Sequence, residues 1–257
     1  MIRAALFLAL VPCAALAQSD SRRQALGKQL AEDMESHSTI VNDATMLQYV
    51  SRIAQNLAQA GKLHDPLTVK VITGSTAYAF PGASCYVSGL ILKAESEAGL
   101  AGAIAHLLGH IVFWRTMPVE IGPGTQIPMV WASGACARLA GAFAIPMFFA
   151  NGQAILEAQS DQVGLEYMAK AGYDPEALAD FFDRILSSGP KRASAFSSWV
   201  KFPASTRTQS DSLRDQRSDF IVTTSEFHEI QQRVASQIAK LTPPGAAPTL
   251  NPVKHLP

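Results

Sequence analysis

Charge is scarce in this 257-residue chain. Lys, Arg, Asp and Glu make up 16% of it, and the 21 basic residues cancel the 21 acidic ones. Without net charge or a basic run, the chain lacks the electrostatic footprint of a nucleic-acid binder. Cysteine is rare too, with three residues, but a chain of this length buries a core without disulfide support. No internal repeat is visible, which excludes a solenoid or propeller. What is abundant is apolar side chain, 48% of the total, which excludes a disordered polar tail protein and leaves a globular chain of one or two domains.

The apolar surplus is unevenly placed. Met1-Ile2-Arg3 is a short positive start, Ala4 to Ala14 is apolar, and Ala15-Leu16-Ala17 before Gln18 fits a small-x-small cleavage site. Residues 1–17 therefore read as a secretory signal peptide, too short to span a bilayer, and the chain as exported, periplasmic or extracellular. Cys13 follows Pro12, where a lipid-attachment site needs a small residue. In an oxidising compartment Cys85 and Cys136 either pair or are simply buried, and their spacing does not decide which. The second reservoir is an insert at 127–150 that carries one charge, Arg138, and two prolines, Pro128 and Pro146. Its small residues favour close helix packing, while the charge and Pro146 argue against a full membrane span. It reads as a buried or membrane-surface hairpin flanking a cleft.

Between these stretches the hydrophobic period identifies the elements. Leu26, Leu30 and Met34 recur four apart and predict a helix over 20–36; Met46, Val50, Ile53 and Leu57 predict another to about Ala60, capped by Asn42-Asp43. Leu67 to Ile72 alternates and is rich in branched residues, so it predicts a strand. Tyr78 to Leu92, punctuated by Pro81-Gly82, predicts further strands or a hairpin. Helices are then expected over 95–115, over 152–171 with a stop at Gly172, after Asp174-Pro175, and after a capping box Thr223-x-x-Glu226. The expected fold is mostly helical α+β with a small sheet. One domain covers 18–241, and a proline-rich tail at 242–257 is expected to be disordered.

His106 and His110 lie four apart on the 95–115 helix, so both rings project from one face. A helix offers two imidazoles to a tetrahedral zinc ion in this way. Core or helix-surface histidines without a metal fit the same spacing. Glu157 and Asp161, also four apart, share one face of the 152–171 helix. They could serve the histidines or be solvated helix charges. Glu95 and Glu97 sit at the start of the histidine helix, where acids favour the N-terminus. His37, His64, His228 and His255 have no partner at ligand spacing and read as surface residues.

Several short motifs now fall in one order: Thr76-Ala-Tyr-Ala-Phe-Pro81-Gly82-Ala83, then Tyr86-Val87-x-Gly89-Leu90, His106-Leu107-Leu108-Gly109-His110, Glu157-Ala-Gln-Ser-Asp161-Gln-Val-Gly164, and Ala171-Gly-Tyr-Asp-Pro175. In these motifs, over about residues 23–241, the chain resembles metallopeptidase family forty-eight, the HtpX-like and BepA-like gluzincins. That family shows His-Glu-x-Gly-His and Glu-x-Glu-Ala-Asp-x-x-Gly at the corresponding places. The resemblance implies a zincin-like fold, zinc held by His106, His110 and Glu157, Asp161 orienting a ligand histidine, and a protein or peptide as substrate or client.

The departures are concentrated at the site. Leu107 stands where the family has the glutamate that takes a proton from water and passes it to the leaving amine. Phe202-Pro203 replaces a His-Pro, Phe113-Trp114-Arg115 replaces a basic-His pair, and Gly99 replaces a glutamate. The expectation is an exported zinc metalloendopeptidase-family protein with weak or no peptide hydrolysis and no catalytic residue at 107. The alternative is a non-catalytic envelope protein that holds unfolded or extended polypeptides in the former cleft. In either case the 127–150 insert offers a contact with a membrane surface.

Overall fold

The computed structural model describes residues 11–36, 39–72, 78–82, 84–87, 94–116, 129–131, 144–146, 153–187 and 204–241. Helix α1 is Val11–Ser36, α2 Ala44–Ala60, α3 Glu97–Thr116, α4 Gln153–Ala171, α5 Glu176–Ser187, α6 Ala204–Arg214 and α7 Ser225–Leu241. The strands are β1 Thr68–Val71, β2 Tyr78–Phe80, β3 Ser84–Val87, β4 Met129–Trp131 and β5 Ala144–Pro146. This is the α+β, mostly helical arrangement that the periodicity predicts. Helix α1 starts inside the stretch read as a leader, earlier than its amphipathic pattern suggests.

The first sheet has the order β1-β3-β2. Pro81 and Gly82 turn β2 back onto β3 as an antiparallel hairpin, and Gly82 takes the positive φ of +80° that an L side chain resists. Strand β1 adds to the other side of β3 in parallel, with Val69 opposite Cys85. Helix α1 covers this sheet through Ala31 and Met34, which pack with Ile72, Phe80 and Tyr86. Glu35 accepts from both Lys70 and Tyr86, and the Lys70 bond holds its carboxyl below the usual carboxylate range.

Helix α3 is apolar around most of its circumference, so most of it must be buried. Leu100, Ile104 and Leu108 are fully buried, and α2, α4, α5 and β2 surround the helix. It is long and apolar enough to cross a bilayer, but 83% of that stretch is buried inside the protein, as expected of a central core helix. Its N-terminus is built from several directions. Ser96 Oγ accepts from Gly99 N at 3.0 Å as the cap, and Val222 O accepts from Ala98 N at 2.9 Å. Buried Glu97 accepts from Tyr49 Oη at 2.9 Å, from Tyr173 Oη at 3.4 Å and from Thr224 Oγ1. Burial, and then the Glu97 carboxylate, push the Tyr173 phenol up to about 12. The structural reading of Glu97 holds, and Glu95 pairs with Arg184 at 2.8 Å.

Asp43 caps α2, as predicted, by accepting from Met46 N at 3.1 Å. The last helix differs from the expected capping box. Thr224 rather than Thr223 caps α7, through Phe227 N at 3.3 Å, and Glu226 turns away to Arg52 at 2.6 Å. Thr224 wins because its hydroxyl serves two ends at once, accepting from Phe227 and donating to Glu97. Within the apolar insert, β4 and β5 pair antiparallel with Val130 opposite Ile145. The small residues between them and the tail after 241 lie outside the described residues.

Candidate metal centre

Helices α3 and α4 approach with almost no side chain between their backbones. A Cβ added at Gly109 would lie 2.6 Å from the Ser160 carbonyl oxygen, and one at Gly164 would lie 3.1 Å from His106 N. Both glycines are motif positions, and their steric role is to let two helices meet at backbone distance. That approach brings the histidine face of α3 against the carboxylate face of α4.

The result is a chain of three groups. His106 Nδ1 is 2.8 Å from Asp161 Oδ1, and His106 Nε2 is 3.0 Å from His110 Nε2. His106 and Asp161 are 8% and 7% exposed, whereas His110 is half-buried. With the Nδ1 proton donated to the buried carboxylate, the His106 lone pair sits on Nε2, facing the second imidazole. Two zinc–nitrogen bonds of about 2.0–2.1 Å at a tetrahedral angle separate the nitrogens by about 3.3 Å. The observed 3.0 Å is a hydrogen-bond contact that lies within a few tenths of an ångström of that spacing.

Glu157 lies on α4 one turn before Asp161, on the same helix face, and its side chain lies outside the described residues. Among the described residues no group of three or more His, Cys, Asp or Glu could hold a metal ion. The structure therefore brings together His106, His110 and Asp161 and places only the backbone of Glu157. Leu107 is 6% exposed and belongs to the main apolar cluster. It offers nothing that can take or pass a proton.

Cys85 is free and fully buried, and burial pushes its thiol up to about 12, so it stays protonated and packs as an apolar residue. Cys136, His37, His255 and Phe202-Pro203 lie outside the described residues, while His64 and His228 are exposed as expected. Trp114, two turns after His106 on α3, donates its indole N–H to Ala79 O of β2 at 3.3 Å.

One wall of the site was not foreseen. The Phe182 ring of α5 meets the His106 ring edge-on, with centroids 5.1 Å apart and planes at 70°. Nothing in the spacing separates Phe182 from its neighbour Phe181, since adjacent residues can share one apolar stripe of an amphipathic helix.

A family model described as Peptidase family M48 matches residues 45–200, more than half of the chain. A beta-barrel assembly-enhancing protease of Yersinia pestis is 23% identical over 188 residues, covering 65% of this chain and 38% of that protein. The beta-barrel assembly-enhancing protease of Escherichia coli strain K12 is 22% identical over 183 residues, covering 63% and 37%. The chain thus spans less than two fifths of the length of these relatives.

Proposed function

Because the chain belongs to Peptidase family M48, we propose that it is an exported member holding zinc through His106, His110 and Glu157 that hydrolyses peptides weakly or not at all. The observation that carries this reading is the contrast within one helix turn. The His106 imidazole is oriented by Asp161 and faces His110 across 3.0 Å, while the adjacent Leu107 is sealed in apolar core.

Zinc, when bound, supplies Lewis acidity toward a carbonyl. The rest falls to the chain's own residues. Asp161 holds the Nδ1 proton and so keeps the Nε2 lone pair of His106 available. His110, half-buried one turn further along α3, would offer its Nε2 as the second donor atom. No side chain at 107 moves a proton between water and the leaving amine, which costs about 10²–10⁴-fold in rate. A second reading follows from the same contrast: a site kept in shape without its base suits an envelope protein that holds extended or unfolded polypeptides. The two relatives are described as acting in beta-barrel assembly, which supports a protein or peptide as substrate or client. The apolar insert at 127–150 is the part suited to touching a membrane surface, and residues 1–17 support export.

Zinc content of the purified protein tests the metal site; near-stoichiometric zinc is expected, and none would refute it. A casein assay of the native protein beside Leu107→Glu tests the missing base. Activity in the glutamate variant alone is expected, and equal activity in both would overturn the proposal.

A further inference from the structure

We infer that Phe182 is a positioning residue for His106, holding the imidazole in its ligating orientation before any metal arrives. This rests on the proposed metal site and adds a residue from a helix that contributes no ligand to it. The hydrogen bond from Nδ1 to Asp161 fixes one point of the ring. Rotation about that point would still swing Nε2 away from His110. Two edge-on ring contacts oppose the swing: His110 at 4.7 Å between centroids and 83° between planes, and Phe182 at 5.1 Å and 70°. Edge-to-face contacts depend on orientation, so they resist tilting where a simple apolar wall would not.

The placement on α5 supports this assignment. Phe181 is 2% exposed and belongs to the core, whereas the next residue, Phe182, is half-buried at the edge of that core and lies against the histidine. The two rings meet at 5.8 Å and 69°, so the core residue backs the site residue. The His106 imidazole is thereby held from three helices: α3 through His110, α4 through Asp161 and α5 through Phe182.

The test compares Phe182→Leu, Phe182→Tyr and a core control, Phe181→Leu, by zinc affinity in chelator competition. Removing the ring at 182 is expected to weaken zinc binding about tenfold, the scale of lost support around a ligand. The tyrosine variant, which keeps the ring, is expected to bind zinc like the native chain. Phe181→Leu is expected to lower the unfolding temperature at least as much while leaving zinc affinity unchanged. In metal-free protein, the His106 Nδ1–H proton resonance should be protected from exchange in the native and tyrosine forms and lost in the leucine form. Should Phe182→Leu not fold, Phe182→Met removes the ring at similar volume and is read the same way. Native zinc affinity and a native Nδ1–H signal without the ring would overturn the assignment. If no form binds zinc, the metal proposal fails, and the Nδ1–H signal still decides the role of Phe182.

Discussion

Ser160 carries a hydroxyl into the contact between α3 and α4, where it is fully buried and its oxygen has no hydrogen-bond partner among the described residues. A buried unpaired polar atom costs about 1–3 kcal/mol. Ser160→Ala, the residue of the resembled motif, should therefore stabilise the protein by about 1 kcal/mol. A higher urea midpoint at unchanged slope would show it. A residue in a left-handed conformation ends α2. Leu63 N bonds Ala58 O at 2.8 Å and Lys62 N bonds Gln59 O at 3.1 Å, a Schellman closure that puts Lys62 at φ +57°. Glycine normally takes that place. Here the glycine stands one residue earlier, because a Cβ at Gly61 would come within 2.2 Å of the Tyr167 ring. Lys62→Gly should gain about 0.5 kcal/mol by relieving the left-handed strain, after the added chain entropy of glycine is subtracted. Gly61→Ala should lose stability by overpacking, and thermal melts of the pair should move in opposite directions.

At the scale of elements, the α3–α4 contact governs the site and the α2–α7 contact governs the frame. Gly109→Ala places a methyl group 2.6 Å from the Ser160 carbonyl oxygen and 2.7 Å from its Cα, both backbone atoms that cannot step aside. The helices must separate, at a cost of about 1–3 kcal/mol. Because His106 and Asp161 sit on opposite sides of that contact, the same change should weaken zinc binding, measurable by chelator competition. In the frame, Asp43 binds Met46 N, Arg233 Nε at 2.6 Å and Gln237 Nε2 at 3.3 Å, joining α2 to α7. Burial pushes its carboxyl up, but the Met46 N–H and the Arg233 guanidinium outweigh that and hold it below the usual range. A carboxyl depressed on folding stabilises above its unfolded pKa, about 3.9, and that stability disappears as pH falls through the lower folded value. Asp43→Asn keeps a good cap and removes the charge. It should cost about 1 kcal/mol at neutral pH, since Arg233 is half exposed and screened. Denaturation midpoints should then fall less steeply below about pH 4.

For the whole molecule, the proposed metal binding would be linked to folding, because His106 and Asp161, 55 residues apart, meet only in the native state. Zinc at a hundredfold excess over its dissociation constant should add about 2.7 kcal/mol of stability. His110→Ala should abolish that gain while leaving the metal-free unfolding temperature little changed, as its side chain is only half-buried. Melting curves with and without zinc check both. The mostly helical fold was legible because α2, α3, α4, α5 and α7 each carry an apolar stripe or a cap in their own residues. Helix α6 was not legible. Its sequence, ASTRTQSDSLR, has Leu213 as its only large apolar residue, and Arg207 with Asp183 and Arg214 with Glu176 dock it onto α5.

The sequence by itself determined helices α2, α3, α4, α5 and α7, the Pro81-Gly82 hairpin, the paired histidines and the leucine at 107, because each is a property of neighbouring residues or of one element's period. Tertiary structure alone decided the parallel addition of β1 to β3, the convergence of His106 Nδ1 on Asp161, the ring of Phe182 over that histidine and the choice of Thr224 as a cap. Each of these depends on which surfaces meet at backbone distance, and residue spacing within one element carries no record of that.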